Sequence, residues 1–245
     1  MTVKSVVYEF LVRIKQLILP DSAQEKLEDL FFARLPIVVI KALTVEYRGY
    51  LKHYFPKSGH VVVDAGAWKG HFSIILSRLV GKEGLVIAIE PQALMCDRLT
   101  KRLKRLQIEN VIIRNCGLYS NDVVKDFAQK NTSSFSIISQ ENRAGTRTES
   151  IALSQLDTVL KEVGVKSVDF IKMDVEGAEM EALAGASKTI NAFSPQIAIA
   201  SYHVVDGEQT AYRVEQILRG YGYEAKTGYP AHLTTYGFRK NPVNL

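Results

Sequence analysis

Four stretches of the sequence hold side chains whose types and spacing could do chemistry. The first, Asp64-Ala65-Gly66-Ala67-Trp68-Lys69-Gly70, sets an acid ahead of two glycines. A chain that turns through glycines into a helix brings backbone N–H groups toward a ligand. The phosphate-binding pattern GxxxxGK[ST] is absent, and so is the middle glycine of GxGxxG. An acid with GxxxG suits a ligand that carries positive charge and no pyrophosphate. The plainer alternative is a turn that only tightens strand-to-helix packing. The second stretch, Glu90-Pro91, offers a carboxylate able to accept both hydroxyls of a ribose. In the third, Asn115-Cys116-Gly117 suits the edge of an adenine, and Cys116 reads equally well as a small buried apolar residue.

The fourth stretch runs Ile171-Lys172-Met173-Asp174-Val175-Glu176-Gly177-Ala178-Glu179. Acids gather in the first turn of a helix because the dipole favours them there. That accounts for Glu179 and partly for Glu176. It does not account for Asp174, which falls at the mouth of a strand. The next strand ends in Ser201-Tyr202-His203. A lone histidine is more often structural than catalytic. An acid and an imidazole on adjacent strand ends could together take the proton of a hydroxyl.

Strand ends must hold these residues, and the sequence supplies them. Short β-branched runs at 60–64, 85–90, 111–115, 168–174 and 196–202 alternate with helical patterns at 69–80, 93–106, 178–191 and 208–220. Such alternation predicts a parallel sheet covered on both faces. Two last strands, 223–226 and 233–239, flank Pro230 and predict an antiparallel edge, because their connection is too short for a helical crossover. Residues 119–150 read as irregular and polar until a weak strand at 149–153. Within them Asn131 to Ser134 could line an acceptor-side wall. A short helix at 155–163 starts on Ser154 with Asp157, a capping-box-like pair. Arg98, Lys101, Arg102 and Arg105 share one helix face, expected to be solvated.

The chain has 245 residues, 47% of them hydrophobic and 23% charged, which excludes disorder and predicts one domain with an appendage. Its net charge of +5 is too diffuse to argue for nucleic acid. Cys96 and Cys116 fit neither a zinc ribbon nor a CxxC motif. No apolar run reaches the length of a membrane span, and the N-terminus lacks a leader-like pattern. A cytoplasmic protein is expected, with membrane association at the inner face left open. Residues 3–19 have the spacing of an amphipathic helix that could pack on the domain, lie on a membrane or pair two copies. A second helical stretch, about 22–54, is expected to break before Pro36.

At these motifs the sequence resembles the FkbM family of S-adenosylmethionine-dependent methyltransferases. The family's DxGxxxG matches Asp64, Gly66 and Gly70, and its EP matches Glu90-Pro91. Its most specific signature, I-K-[IM]-D-V-E-G-A-E, matches Ile171 to Glu179 throughout. His203 matches a histidine after strand five, and Leu156-Asp157 a Leu-Asp before the short helix. The similarity spans about 60–205. Many members carry E-x-H after strand five, whereas this chain has Ser201 at the glutamate position.

The resemblance implies an α/β, Rossmann-like class I methyltransferase fold over 56–245, after an N-terminal helical extension over 1–55. Its seven-stranded, mostly parallel sheet would have the order 3-2-1-4-5-7-6, with the last strand antiparallel. The implied reaction is O-methylation of a sugar, lipid or secondary-metabolite hydroxyl, with S-adenosylmethionine as cofactor. Asp64, Gly66, Ala67, Trp68 and Gly70 would hold its methionine part, Glu90 and Pro91 its ribose, and Asn115, Cys116 and Gly117 the adenine edge. Asp174, Glu176 and His203 would face the acceptor, with Asp174 or His203 as base. A divalent cation on the same groups is left open, and no metal ligand is assigned. Partners implied are a small-molecule, glycan or lipid acceptor, no nucleic acid, and a membrane surface or second copy at the N-terminal helix. A second reading is a peripheral membrane or scaffold protein that binds the cofactor without turnover.

Overall fold

The computed structural model describes residues 21–128 and 148–239. The amphipathic stretch 3–19 and Asn131 to Ser134 lie outside the described residues. Three helices open the described chain: α1 (Asp21–Arg34), α2 (Ile37–Leu43) and α3 (Val45–Tyr50). The break expected before Pro36 is present, and a second falls at Thr44, whose extended backbone separates α2 from α3. The alternating region follows as β1 (Val61–Ala65), α4 (His71–Val80), β2 (Leu85–Ile89), α5 (Ala93–Leu106) and β3 (Val111–Arg114). Next come three strands, β4 (Gly117–Leu118), β5 (Val123–Ala128) and β6 (Thr148–Ser154), and helix α6 (Leu156–Val163). The rest is β7 (Phe170–Met173), α7 (Glu179–Ala184), α8 (Ser187–Phe193), β8 (Gln196–Ala200), β9 (Val204–Val205), β10 (Glu208–Gln209), α9 (Ala211–Gly220), β11 (Glu224–Gly228) and β12 (Thr234–Phe238).

Seven strands form one sheet in the order β11-β12-β8-β7-β1-β2-β3. The five from β8 to β3 are parallel, and β12 runs antiparallel to both its neighbours. Side chains alternate across the pleat, so β1 sends Val63 into one apolar layer and Val62 into the other. The first layer lies under α6 to α9, with Leu156, Leu183 and Val214 against Ile171 and Ile197. In the second, Phe32, Tyr47 and Tyr50 from the N-terminal helices pack with Phe72, Ile74 and Leu99. The N-terminal helices therefore share a core with the sheet.

Four expectations change here. The polar stretch after β3 contains an ordered strand, β5, paired antiparallel with β6 from Val123↔Leu153 to Ala128↔Thr148. Its Lys125 and Asp126 hid it, since a charged pair interrupts the alternation that marks a strand. The single helix expected at 178–191 is two helices. A Cβ on Gly185 would lie 2.0 Å from the Tyr119 carbonyl oxygen, so the chain turns there against a neighbouring backbone. Asp157 then caps the second of them. It accepts the backbone N–H groups of Lys188 at 2.9 Å and Thr189 at 2.8 Å, in place of the capping box expected at its own helix. The helix expected from 208 starts at Ala211, because Glu208 and Gln209 pair with β9 instead.

Arg102 is a fifth correction: Lys101 and Arg105 on the same face of α5 stay exposed as expected, but Arg102 does not. Arg102 is buried and its Nε donates to Asp29 Oδ1 of α1 at 2.6 Å, while Arg105 Nε donates to Asp29 Oδ2 at 2.6 Å. Arg102 also donates to the Lys69 carbonyl at 2.6 Å, tying α1 to the glycine turn after β1. Removing one member of a buried ion pair strands the other charge. Asp29→Ala is therefore expected to lower stability by about 3 kcal/mol. In a chain this size that is roughly 6–12 °C in Tm. Arg102→Met in the same chain should restore part of the loss. Calorimetric melting of the three proteins checks this, and a loss under about 1 kcal/mol, typical of an exposed pair, would contradict it.

Candidate active site

The carboxyl ends of β1, β2, β7 and β8 meet at one edge of the sheet. The turn after β1 is bound to β2, with Gly66 and Ala67 donating N–H to the Ile89 carbonyl at 2.9 and 3.0 Å. Gly66 is left-handed (φ 75), and a Cβ on it would fall 1.8 Å from the Asp174 carbonyl oxygen. Only glycine lets the turn lie against the end of β7 in this way. Trp68 also takes a left-handed backbone (φ 48) and stays 39% exposed, with Lys69 Nζ 4.6 Å from its ring centroid. Strain of this kind collects at ligand sites.

Asp64 sits beneath the turn and has no exposed surface. Its Oδ2 accepts Ser73 Oγ at 2.6 Å, and its Oδ1 lies 3.0 Å from Lys172 Nζ. Lys172 in turn donates to the carbonyls of Ala65 at 3.1 Å and Gly66 at 2.8 Å. Asp64 and Lys172 thus hold the turn's shape from within, where the sequence had set Asp64 directly on the ligand. Glu90 is buried at the end of β2. Its two oxygens accept backbone N–H from Trp68 at 2.8 Å and from Gln92 at 3.0 Å. Each oxygen keeps capacity for one more donor. Burial raises the Glu90 carboxyl above its ordinary value, against the pull of those two N–H groups. Asn115 is exposed and donates to the carbonyls of Glu90 and Pro91 at 3.0 and 2.9 Å. Cys116 is buried, as is Gly117, whose backbone pairs with Leu153 of β6.

Asp174, Glu176 and His203 come together as expected from their strand ends. His203 Nε2 lies 3.6 Å from Asp174 Oδ1 and 3.6 Å from Glu176 Oε2. Its Nδ1 lies 2.8 Å from Oε1 of Glu179, a carboxylate with no exposed surface. The sequence left Glu179 to the helix dipole, yet α7 turns it inward onto the imidazole. Burial works against a charged His203, but the Glu179 carboxylate, then Asp174 and Glu176, outweigh it and raise the imidazole above its ordinary value. Burial raises the Glu176 carboxyl too.

Three more residues complete this wall. Tyr50 of α3 donates to Asp174 Oδ2 at 2.8 Å, and Tyr202 to Asp174 Oδ1 at 3.3 Å. His232, just before β12, faces both rings at 5.0 Å between centroids. Burial lowers its imidazole below the ordinary value. Tyr202 could have been suspected from its place beside His203. Tyr50 and His232 stand far from every motif in sequence and carry no local signal.

The His203–Glu179 pair predicts a pH dependence. A histidine whose folded pKa is raised adds stability fully present below about 6.5, its unfolded value. That stability is lost as pH rises through the folded pKa. The stability gap between wild type and Glu179→Gln should therefore be widest below about pH 6.5 and narrow above the His203 midpoint. Urea unfolding at several pH values checks it; a gap independent of pH, or widening with it, would contradict the assignment.

Comparison with known proteins shows the family and the fold. The profile of the methyltransferase FkbM domain matches residues 64–225. A crystal structure of an FkbM methyltransferase from Methylobacillus flagellatus superposes with a TM-score of 0.54 at 20% identity, over 94% of this chain and 58% of that one. Fibrillarin from Aeropyrum pernix, solved with natively bound S-adenosyl-L-methionine, gives 0.51 at 13% identity, over 80% of this chain and 74% of its own. The protein-L-isoaspartate O-methyltransferase of Thermotoga maritima is 35% identical over 78 residues, which are 32% of this chain and 22% of that enzyme. The chain thus spans little more than half of the FkbM structure and about a fifth of the isoaspartate enzyme. Among the described residues, no helix is long and apolar enough to cross a membrane.

Proposed function

Because the chain belongs to the FkbM methyltransferase family, we propose that it methylates a hydroxyl oxygen of a sugar, lipid or secondary-metabolite acceptor, with S-adenosylmethionine as donor. The observation that carries the reading is the convergence of Asp174, Glu176, His203 and two tyrosine hydroxyls beside the glycine turn. The donor fits the opposite side. The turn Gly66–Gly70, exposed at Trp68, takes its methionine part, and Glu90 keeps one acceptor position on each oxygen for the ribose hydroxyls. The exposed Asn115 side chain and the backbone near Cys116 suit the adenine edge. When bound, the donor supplies an electrophilic methyl group on a sulfonium.

The chain's own residues then have two tasks. They must hold a hydroxyl in line, which lowers the entropic cost of attack. They must also relieve it of its proton. Asp174 and His203 stand where that proton would go. Glu179 fixes the imidazole from behind, and Tyr50 and Tyr202 fix the Asp174 carboxylate. Trp68 is exposed at the turn, where it can cover the donor.

Product formation tests the reading. The purified protein, given S-adenosylmethionine and a panel of glycans, lipids and hydroxylated metabolites, should release S-adenosylhomocysteine only with hydroxyl-bearing acceptors. The matching acceptor should gain one methyl on oxygen by mass spectrometry. Methylation confined to nitrogen or carbon would overturn the O-methyl assignment.

A further inference from the structure

We propose that Asp174, Glu176 and His203 bind one divalent cation of the magnesium or manganese kind. This rests on reading the same cluster as the acceptor side of the site. One ligand atom from each residue lies within 4.8 Å of the other two. The Nε2 of His203 is 3.6 Å from a carboxylate oxygen on either side. Cation–ligand distances of about 2.0–2.3 Å set neighbouring donors roughly 3–4 Å apart. The three donors are therefore too far apart for short hydrogen bonds between them and well spaced for an ion in their midst.

The His203 nitrogen is a second, independent pointer. Its side chain is only 10% exposed, and Nε2 is buried with no hydrogen-bond partner. Buried polar atoms are rarely left this way, because the loss of water is not made good. Nε2 points between two carboxylates that a cation would link to it. On the far side of the ring, Nδ1 meets the wholly buried Glu179 carboxylate at 2.8 Å. A carboxylate behind a histidine is the usual support of a metal-bound imidazole, fixing the ring and strengthening the free nitrogen as a donor.

The donor set selects the ion. Two carboxylates and one imidazole favour hard or borderline cations over those that seek thiolate. The two cysteines are buried and belong to no such group. Three protein ligands leave positions open for acceptor oxygens. With Nε2 on the cation, His203 would no longer take the proton itself: the cation would draw the acceptor's hydroxyl against Asp174, favour its ionised form and leave Asp174 to accept the proton.

Manganese binding tests this on the full chain, stripped with chelator and titrated with Mn(II) while the free ion is followed by electron paramagnetic resonance. The wild type should take up one ion per chain in the micromolar to sub-millimolar range, with Mg(II) competing. His203→Ala and Asp174→Asn should each weaken binding by at least about tenfold, and Glu179→Gln by about 10–100-fold. Asp206→Asn, at an exposed ion pair with Arg213, should leave it unchanged. Titration of each variant with S-adenosylhomocysteine shows whether the fold and donor side are intact; His203→Gln replaces His203→Ala if that chain fails to fold. No saturable Mn(II) uptake by wild type, or uptake unchanged in both His203 and Asp174 variants, overturns the cation site. With S-adenosylhomocysteine still bound, that result leaves the methyltransferase reading standing. Failure to bind S-adenosylhomocysteine would instead sink that reading and this one with it.

Discussion

Replacing Lys172 with methionine is expected to cost about 3–5 kcal/mol of stability and to abolish donor binding at ambient temperature. Lys172 and Asp64 are buried together in the middle of the sheet, with Nζ 3.0 Å from Oδ1. Methionine keeps most of the side-chain volume, so the loss is one of charge and hydrogen bonds. Asp64 would be left as a buried carboxylate supported by Ser73 alone among the contacts described above. The carbonyls of Ala65 and Gly66 would lose their shared donor at the point where the turn leaves the strand. Because these carbonyls shape the turn, the damage should reach the ligand side even in molecules that stay folded. Urea unfolding of Lys172→Met beside Lys172→Met/Asp64→Asn separates the causes. The double variant should regain much of the stability, since no unpaired charge is left buried, but not the donor affinity. A single variant within about 1 kcal/mol of wild type would show that the pair is not the internal support described here.

The second large effect is on turnover. His203→Ala should lower kcat by about 10²–10⁴, the range attached to losing a positioned proton-transfer group. Affinity for S-adenosylhomocysteine should change less than about threefold, because the contacts of His203 described above are with Asp174, Glu176 and Glu179 and not with the turn or Glu90. Asp174→Asn should fall in the same range of kcat, and Glu179→Gln should lose less, acting only through the ring. The ordering matters as much as the size. If Glu179→Gln were as damaging as His203→Ala while binding the donor normally, Glu179 would touch the reacting groups and not merely orient the imidazole. If His203→Ala kept kcat within tenfold of wild type, neither proton removal nor a cation on Nε2 could be its task.

Much of this site was legible in the sequence because strand ends are. The alternation of β-branched runs with helices fixed which residues would reach one edge, and Asp174, Glu176 and His203 do meet there. What stayed hidden has physical causes. Asp64 reads as a ligand-facing acid, since sequence cannot show that Lys172, whose side chain points back across the adjacent strand, claims its carboxylate. Glu179 looks like a dipole-favoured acid, since burial is a property of the tertiary fold. Arg102 on the basic face of α5 looks solvated until α1 brings Asp29 to it. Tyr50 comes from a helix 124 residues before its acceptor Asp174, a contact that no local pattern encodes. These additions lie mainly in the supports of the site, and the N-terminal helices turn out to supply one of its hydroxyls.

The donor site we propose is built from the turn after β1 and the carboxylate of Glu90. Calorimetric titration with S-adenosylhomocysteine tests it most directly, comparing wild type with Glu90→Gln, which keeps the shape and removes the charge. Hydrogen bonds to a charged acceptor contribute about 1.5–3 kcal/mol each. Glu90→Gln should therefore bind about ten- to a hundredfold more weakly than wild type. Wild type should bind one equivalent per chain with micromolar affinity. No binding by wild type, or equal affinity in Glu90→Gln with its melting temperature unchanged, would contradict the account.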